Sequence, residues 1–145
     1  MIERAITIVR VFDAPRERLW KEWTEPERFS DWFGGADLEV PLSSVEMDVR
    51  EGGAWQLTML AERGEVFWHG EYHEVVEPSR VVFTITDVPP PASDYHVISV
   101  DFVDLGDGRT EMRFEQRGPM PEEQVRAAGA GWGKFFDRIA ERLTQ

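Results

Sequence analysis

The chain has no cysteine. Disulfides, thiol catalysis and cysteine metal sites are therefore excluded, and a reducing compartment fits. Positive charge is scarce: 16 Lys and Arg against 28 Asp and Glu give a net charge of −12. Such a chain lacks the basic footprint that nucleic acid or an anionic membrane surface requires. No apolar run approaches the length of a bilayer span and no leader pattern opens the chain, so a cytoplasmic protein is expected. Histidine is limited to His69, His73 and His96. His69 and His73 share a strand face, but four residues along a strand separate them by roughly 13 Å, too far to share a metal ion. Gly52-Gly53 lacks a following Lys-Ser or Lys-Thr, so it is no phosphate loop. The serines do not stand in a strand-to-helix elbow. Neither a metal nor a cofactor is expected.

What is abundant is aromatic surface: six Trp and nine Phe in 145 residues. These imply a large aromatic core or an aromatic-lined pocket. The length suits a single domain, residues 1–145, able to bury roughly two-thirds of its unfolded surface.

The longest regular pattern is the last. In 121–143 the residues Val125, Ala128, Trp132, Phe135, Phe136, Ile139, Ala140 and Leu143 recur at helical spacing, with charged residues opposite. The pattern predicts an amphipathic helix opened by Pro121, with Glu122 and Glu123 at the positive end of its dipole. Trp132 points close to the centre of the apolar stripe. Gly129, Gly131 and Gly133 interrupt it, each at a cost of roughly 1 kcal/mol relative to alanine. Gly129, beside Trp132 in the stripe, serves either close packing or room for a bound molecule.

The rest reads mainly as strand. Residues 2–12 are β-branched and extended. Pro15 opens a short helix with Leu19, Trp20 and Trp23 buried. Thr24-Glu25-Pro26-Glu27 has capping-box spacing before a second short helix carrying Phe29, Trp32 and Phe33. Then come an extended stretch within 37–50, broken at Pro41, and strands over 54–60, 66–76, 80–86, 95–104 and 109–117, joined by tight turns or by the proline loop at 89–91. On 66–76, Trp68 and Tyr72 are expected to face inward and His69, Glu71 and His73 to face solvent. Tight turns make consecutive strands antiparallel. A sheet with one apolar face needs a cover, and only the last helix is long enough. The expected class is α+β: a curved antiparallel sheet of six or seven strands wrapped around a long C-terminal helix, with two short helices after the first strand. Space between helix and sheet should open at one end.

Several motifs, taken together, resemble a known family. They are Arg10-Val11-Phe12-Asp13-Ala14-Pro15, Leu19-Trp20, Trp23-Thr24-Glu25-Pro26, Trp32-Phe33, Met47-Asp48-Val49-Arg50, Gly52-Gly53, Gly70-Glu71-Tyr72-His73-Glu74-Val75, Pro78, Arg80, Gly131-Trp132 and Asp137-Arg138. In this order they resemble the family named for activators of heat shock protein 90 ATPase, in the START-like, birch-pollen-allergen-like SRPBCC superfamily. The resemblance implies the helix-grip fold. It also implies a deep cavity under the C-terminal helix, used across the superfamily for lipids, sterols, polyketides and other apolar molecules. Some superfamily members are enzymes. The co-chaperone itself carries an additional N-terminal docking domain, which this chain, beginning at its first strand, is expected to lack.

The function expected is binding of a small apolar or aromatic ligand between helix and sheet. The expected lining is Trp55, Leu57, Trp68, Tyr72, Phe83, His96, Ile98, Phe114, Gly129, Trp132 and Phe136. The alternative is a cyclase- or hydrolase-type enzyme using His96 with Tyr72 or Glu74. His96 is either a polar group at the cavity mouth or an exposed strand end, and Glu74 is either catalytic or paired with Arg80 across a turn. A third class is a chaperone-associated stress-response protein. The partners considered are thus a small hydrophobic ligand, a chaperone or a second copy of the chain.

Overall fold

The structure is a computed structural model and describes residues 2–144; Met1 and Gln145, the ends of the expected 1–145 domain, lie outside the described residues. Its elements are β1 (Glu3–Phe12), α1 (Arg16–Thr24), α2 (Pro26–Trp32), β2 (Glu46–Met47), β3 (Ala54–Ala61), β4 (Gly64–Val76), β5 (Arg80–Ile85), β6 (His96–Gly106), β7 (Arg109–Pro119) and α3 (Glu122–Leu143). The strands form a seven-stranded sheet in the order β1-β7-β6-β5-β4-β3-β2. Every pairing is antiparallel. Because β1 pairs with β7, the chain closes on itself before α3 begins, and α3 is laid along the inner face against β1.

The alternation that predicted the strands also decides their faces. On β7, Thr110, Met112, Phe114 and Gln116 are buried while Arg113 and Arg117 are exposed. On α3, Trp132, Phe136, Ile139 and Leu143 are buried, at steps of four, three and four residues. Pro121 is extended and caps the helix instead of occupying its first turn. Most of the aromatic side chains fill the core. Trp23 has the rings of Phe29, Trp32, Phe83, Phe114, Trp132 and Phe136 around it at centroid distances of 4.7–6.5 Å.

Two local expectations are corrected. The capping box at Thr24 does not form, because α1 continues through Thr24 and its hydroxyl donates to the Trp20 carbonyl at 2.8 Å. Of the extended stretch 37–50, only Glu46–Met47 pairs as a strand, at the sheet edge. Pro41 instead leads into a single tight helical turn, Leu42–Ser44.

A bulge in β4 controls what faces the core. Tyr72 pairs with Phe83 but Glu74 pairs with Val82, so the register shifts between them. Before the shift Tyr72 points inward; after it Val75 packs on the core and Glu74 turns to the outer face. There Arg80 donates to Glu74 at 3.2 Å and to Asp101 at 2.6 Å.

Among the described residues one charged side chain lies inside. Glu22 of α1 is 1 % exposed. Its carboxylate accepts from Arg142 of α3 at 2.6 and 3.2 Å, with Arg28 at 3.5 Å. Arg142 also pairs with Asp31 of α2, and Trp32 Nε1 donates to the Glu22 carbonyl at 2.7 Å. This cluster ties the three helices together over the sheet.

Candidate functional site

A cavity of about 340 Å³, partly open to solvent, lies between α3 and the adjacent end of the sheet. Its walls are Ala128, Gly131, Trp132 and Phe135 of α3, Phe33 after α2, Met59 of β3, Trp68 of β4 and Ile85 of β5. Its polar lining is Gln116 of β7, His96 of β6, Gln124 of α3, and Thr86, Asp87 and Asp94 of the proline loop.

His96 belongs to a directed hydrogen-bond chain. A carbonyl can only accept, so the 3.0 Å contact to the Pro119 oxygen places the proton on Nε2. Nδ1 then accepts from the Gln116 amide at 2.7 Å, and the Gln116 oxygen accepts from Trp132 Nε1 at 2.7 Å. The imidazole is wedged against Gly118, where a Cβ would run into the ring. Gln116 was visible in the sequence as the one amide on the apolar face of its strand, alongside Met112 and Phe114, but its partners were not.

His69 corrects the expectation of a solvated strand face. It is 8 % exposed, and its Nε2 donates to the Val88 carbonyl at 2.7 Å. Phe67 stacks on its ring and Tyr95 meets it edge-on. His69 thus pins the proline loop beside the cavity, while His73 is exposed.

Of the residues expected to line a pocket, Trp68, His96 and Trp132 border this cavity. Trp55, Leu57, Phe83, Ile98, Phe114 and Phe136 are buried in the core. Trp55 Nε1 donates across Gly70 to the Thr84 carbonyl at 2.9 Å, and a Cβ on Gly70 would collide with that carbonyl. Gly129 does not border the cavity: it faces Ile6 of β1 at ordinary contact distance. Gly131, two residues or about 200° further round the helix, takes that place. Phe33, Phe135, Gly131, Asp87 and Asp94 also border it without having been anticipated. The loop carboxylates follow no periodic pattern and carried no signal.

His96, Tyr72 and Glu74 are not brought together. Glu74 is held on the outer face by Arg80. Tyr72 is buried against Phe83, away from the cavity. Burial, and secondarily the nearby Asp48 charge, pushes the Tyr72 hydroxyl well above its ordinary value. The folded state therefore keeps the proton while the unfolded chain loses it near pH 10. Stability from this group is complete below pH 10 and falls as pH rises beyond it. Tyr72→Phe is expected to flatten that alkaline decline in urea titrations between pH 9 and 11; an unchanged slope would contradict it.

An antiparallel sheet gripping a C-terminal helix, with an aromatic-walled cavity between them, defines a helix-grip, START-like domain. The family model described as Activator of Hsp90 ATPase homolog 1-like protein matches residues 13–144, and the chain belongs to that family. Similar solved structures include protein CV1439 from Chromobacterium violaceum, with TM-score 0.84, 23% identity, and 98% of this chain and 99% of that chain covered. The AHSA1 protein SPO3351 from Silicibacter pomeroyi superposes with TM-score 0.84 at 19% identity, over 97% and 98% of the two chains. A protein from Staphylococcus epidermidis gives TM-score 0.82 at 18% identity, over 97% and 90%. At such identities the likeness is one of fold. No curated protein matches the sequence.

Proposed function

We propose that the chain is a binding protein for a small apolar or aromatic molecule held between α3 and the sheet. The observation that carries this reading is the cavity itself. At about 340 Å³ it falls in the ordinary range of small-molecule sites, and its walls are mainly apolar with a few convergent polar groups. The Trp132–Gln116–His96 chain fixes Gln116 and His96 before any ligand arrives. A cytoplasmic setting fits the acidic, cysteine-free composition, and among the described residues no helix is long and apolar enough to cross a membrane.

Gly131 supplies the test. A Cβ at Gly131 or at Gly133 would meet open space, but only Gly131 borders the cavity. Gly131→Leu should fill the cavity and, by removing a helix glycine, keep or raise the melting temperature. Binding of the neutral fluorescent probe N-phenyl-1-naphthylamine should be lost. Gly133→Ala should gain up to about 1 kcal/mol of helix stability and bind as wild type. Wild-type affinity in Gly131→Leu would sink the reading, as would no binding by the wild type.

A further inference from the structure

We propose that the ligand is an uncharged carbonyl compound, a ketone, ester or amide on an apolar body, whose oxygen is met by N–H donors of Gln116 and Trp68. This rests on the ligand-binding reading and narrows it.

Gln116 is 7 % exposed and borders the cavity. Its neighbours fix which way the amide points. The Trp132 indole N–H can only donate, so the atom 2.7 Å from it is the amide oxygen. His96 gives its one proton to the Pro119 carbonyl, so Nδ1 can only accept, and the amide nitrogen at 2.7 Å donates to it. Turning the amide over would set donor against donor at Trp132 and acceptor against acceptor at His96. An amide nitrogen carries two protons, and His96 takes one. The second has no acceptor among the described residues.

Trp68 is an independent observation. It borders the same cavity from β4, and its indole Nε1 is buried with no hydrogen-bond partner. The same group of Trp32, Trp55 and Trp132 is placed on an oxygen: the Glu22 carbonyl, the Thr84 carbonyl and Gln116 Oε1. Phe33 packs against Trp68 at 6.3 Å and 72°, and against Trp132 at 5.8 Å and 82°, so the rings hold one another in place. A buried donor without an acceptor costs free energy, and that cost is removed when an oxygen reaches it.

Donors alone fit a carbonyl or a carboxylate. Charge separates the two. Among the described residues no Lys or Arg borders the cavity, whereas Asp87 and Asp94 do. A carboxylate would therefore lose its hydration without gaining a counter-charge. A carbonyl oxygen offers two lone pairs, bears no net charge and has no proton of its own to place.

Acetophenone, ethylbenzene and benzoate share a phenyl ring and differ in the group at issue. They are titrated at pH 7.5 while the tryptophan indole N–H signals are followed by NMR, the Trp68 signal being assigned by its loss in Trp68→Phe. That signal should move downfield with acetophenone and not with ethylbenzene. Benzoate should bind at least about tenfold more weakly than acetophenone. Trp68→Phe removes one donor. Gln116→Glu removes the other and keeps an oxygen for Trp132. Each should lower the affinity for acetophenone relative to ethylbenzene by about tenfold. A ratio unmoved by one or both substitutions, or benzoate binding as tightly as acetophenone, overturns the carbonyl assignment alone. So does failure of the three probes where N-phenyl-1-naphthylamine binds. Failure of N-phenyl-1-naphthylamine as well overturns it together with the ligand-binding reading.

Discussion

Trp132→Ala is expected to lower the free energy of unfolding by about 3–5 kcal/mol, as other buried aromatic truncations do. The side chain is 7 % exposed and joins two parts of the molecule. Its ring packs on Phe114 at 4.7 Å and on Phe136 at 5.8 Å, while stacking with Trp23 at 6.5 Å. Truncation removes these contacts from the inner face of α3 and also strips Gln116 of its indole donor. The loss would be a large fraction of the roughly 5–15 kcal/mol that holds a domain together. The variant should be poorly soluble or partly unfolded at growth temperature. A urea midpoint within error of wild type would show that Trp132 is not a core residue.

The second large effect is expected at Arg142. Arg142→Met leaves the Glu22 carboxylate inside the molecule with only the more distant Arg28 as counter-charge. Removing one partner of a buried ion pair costs about 3–5 kcal/mol, because the remaining charge is uncompensated. The guanidinium is held firmly: its hydrogen bonds to Glu22 are the first cause raising its pKa, and Asp31 adds to it. Glu22→Gln/Arg142→Met should recover part of the loss, since the neutral amide needs no counter-charge. A double-mutant cycle with no coupling between positions 22 and 142 would contradict this assignment.

The parts of the fold legible in the sequence are those written in periodic patterns. The stripe from Val125 to Leu143 runs long enough that the glycines within it do not obscure the helix. The β3–β7 alternations survive because tight turns or the proline loop hold the strands in register. What was not legible depends on single-residue geometry or on distant partners. The bulge between Tyr72 and Glu74 sends Glu74 outward although its parity along the strand says inward. Gly129 and Gly131 lie close in sequence but on different faces, so of the two alternatives open for Gly129 it is the packing one that holds, against Ile6, while Gly131 borders the cavity. His69 reads as solvent-facing until the proline loop folds over it. Glu22 and Arg142 lie on opposite ends of the chain, and nothing local in either helix announces the pair. Among the expected lining residues, Trp55, Phe83 and Phe114 point inward as predicted. Inward, however, means core for most of the sheet and cavity only at one end of it, a distinction that composition and alternation do not contain.

The central claim is that the space between α3 and the sheet holds a small molecule. Native mass spectrometry of freshly purified protein, beside the same sample denatured and beside Gly131→Leu, tests it most directly. The account predicts a native mass above that of the bare chain, an excess lost on denaturation and absent from Gly131→Leu. A native mass equal to the bare chain, unchanged after saturation with N-phenyl-1-naphthylamine, would contradict it.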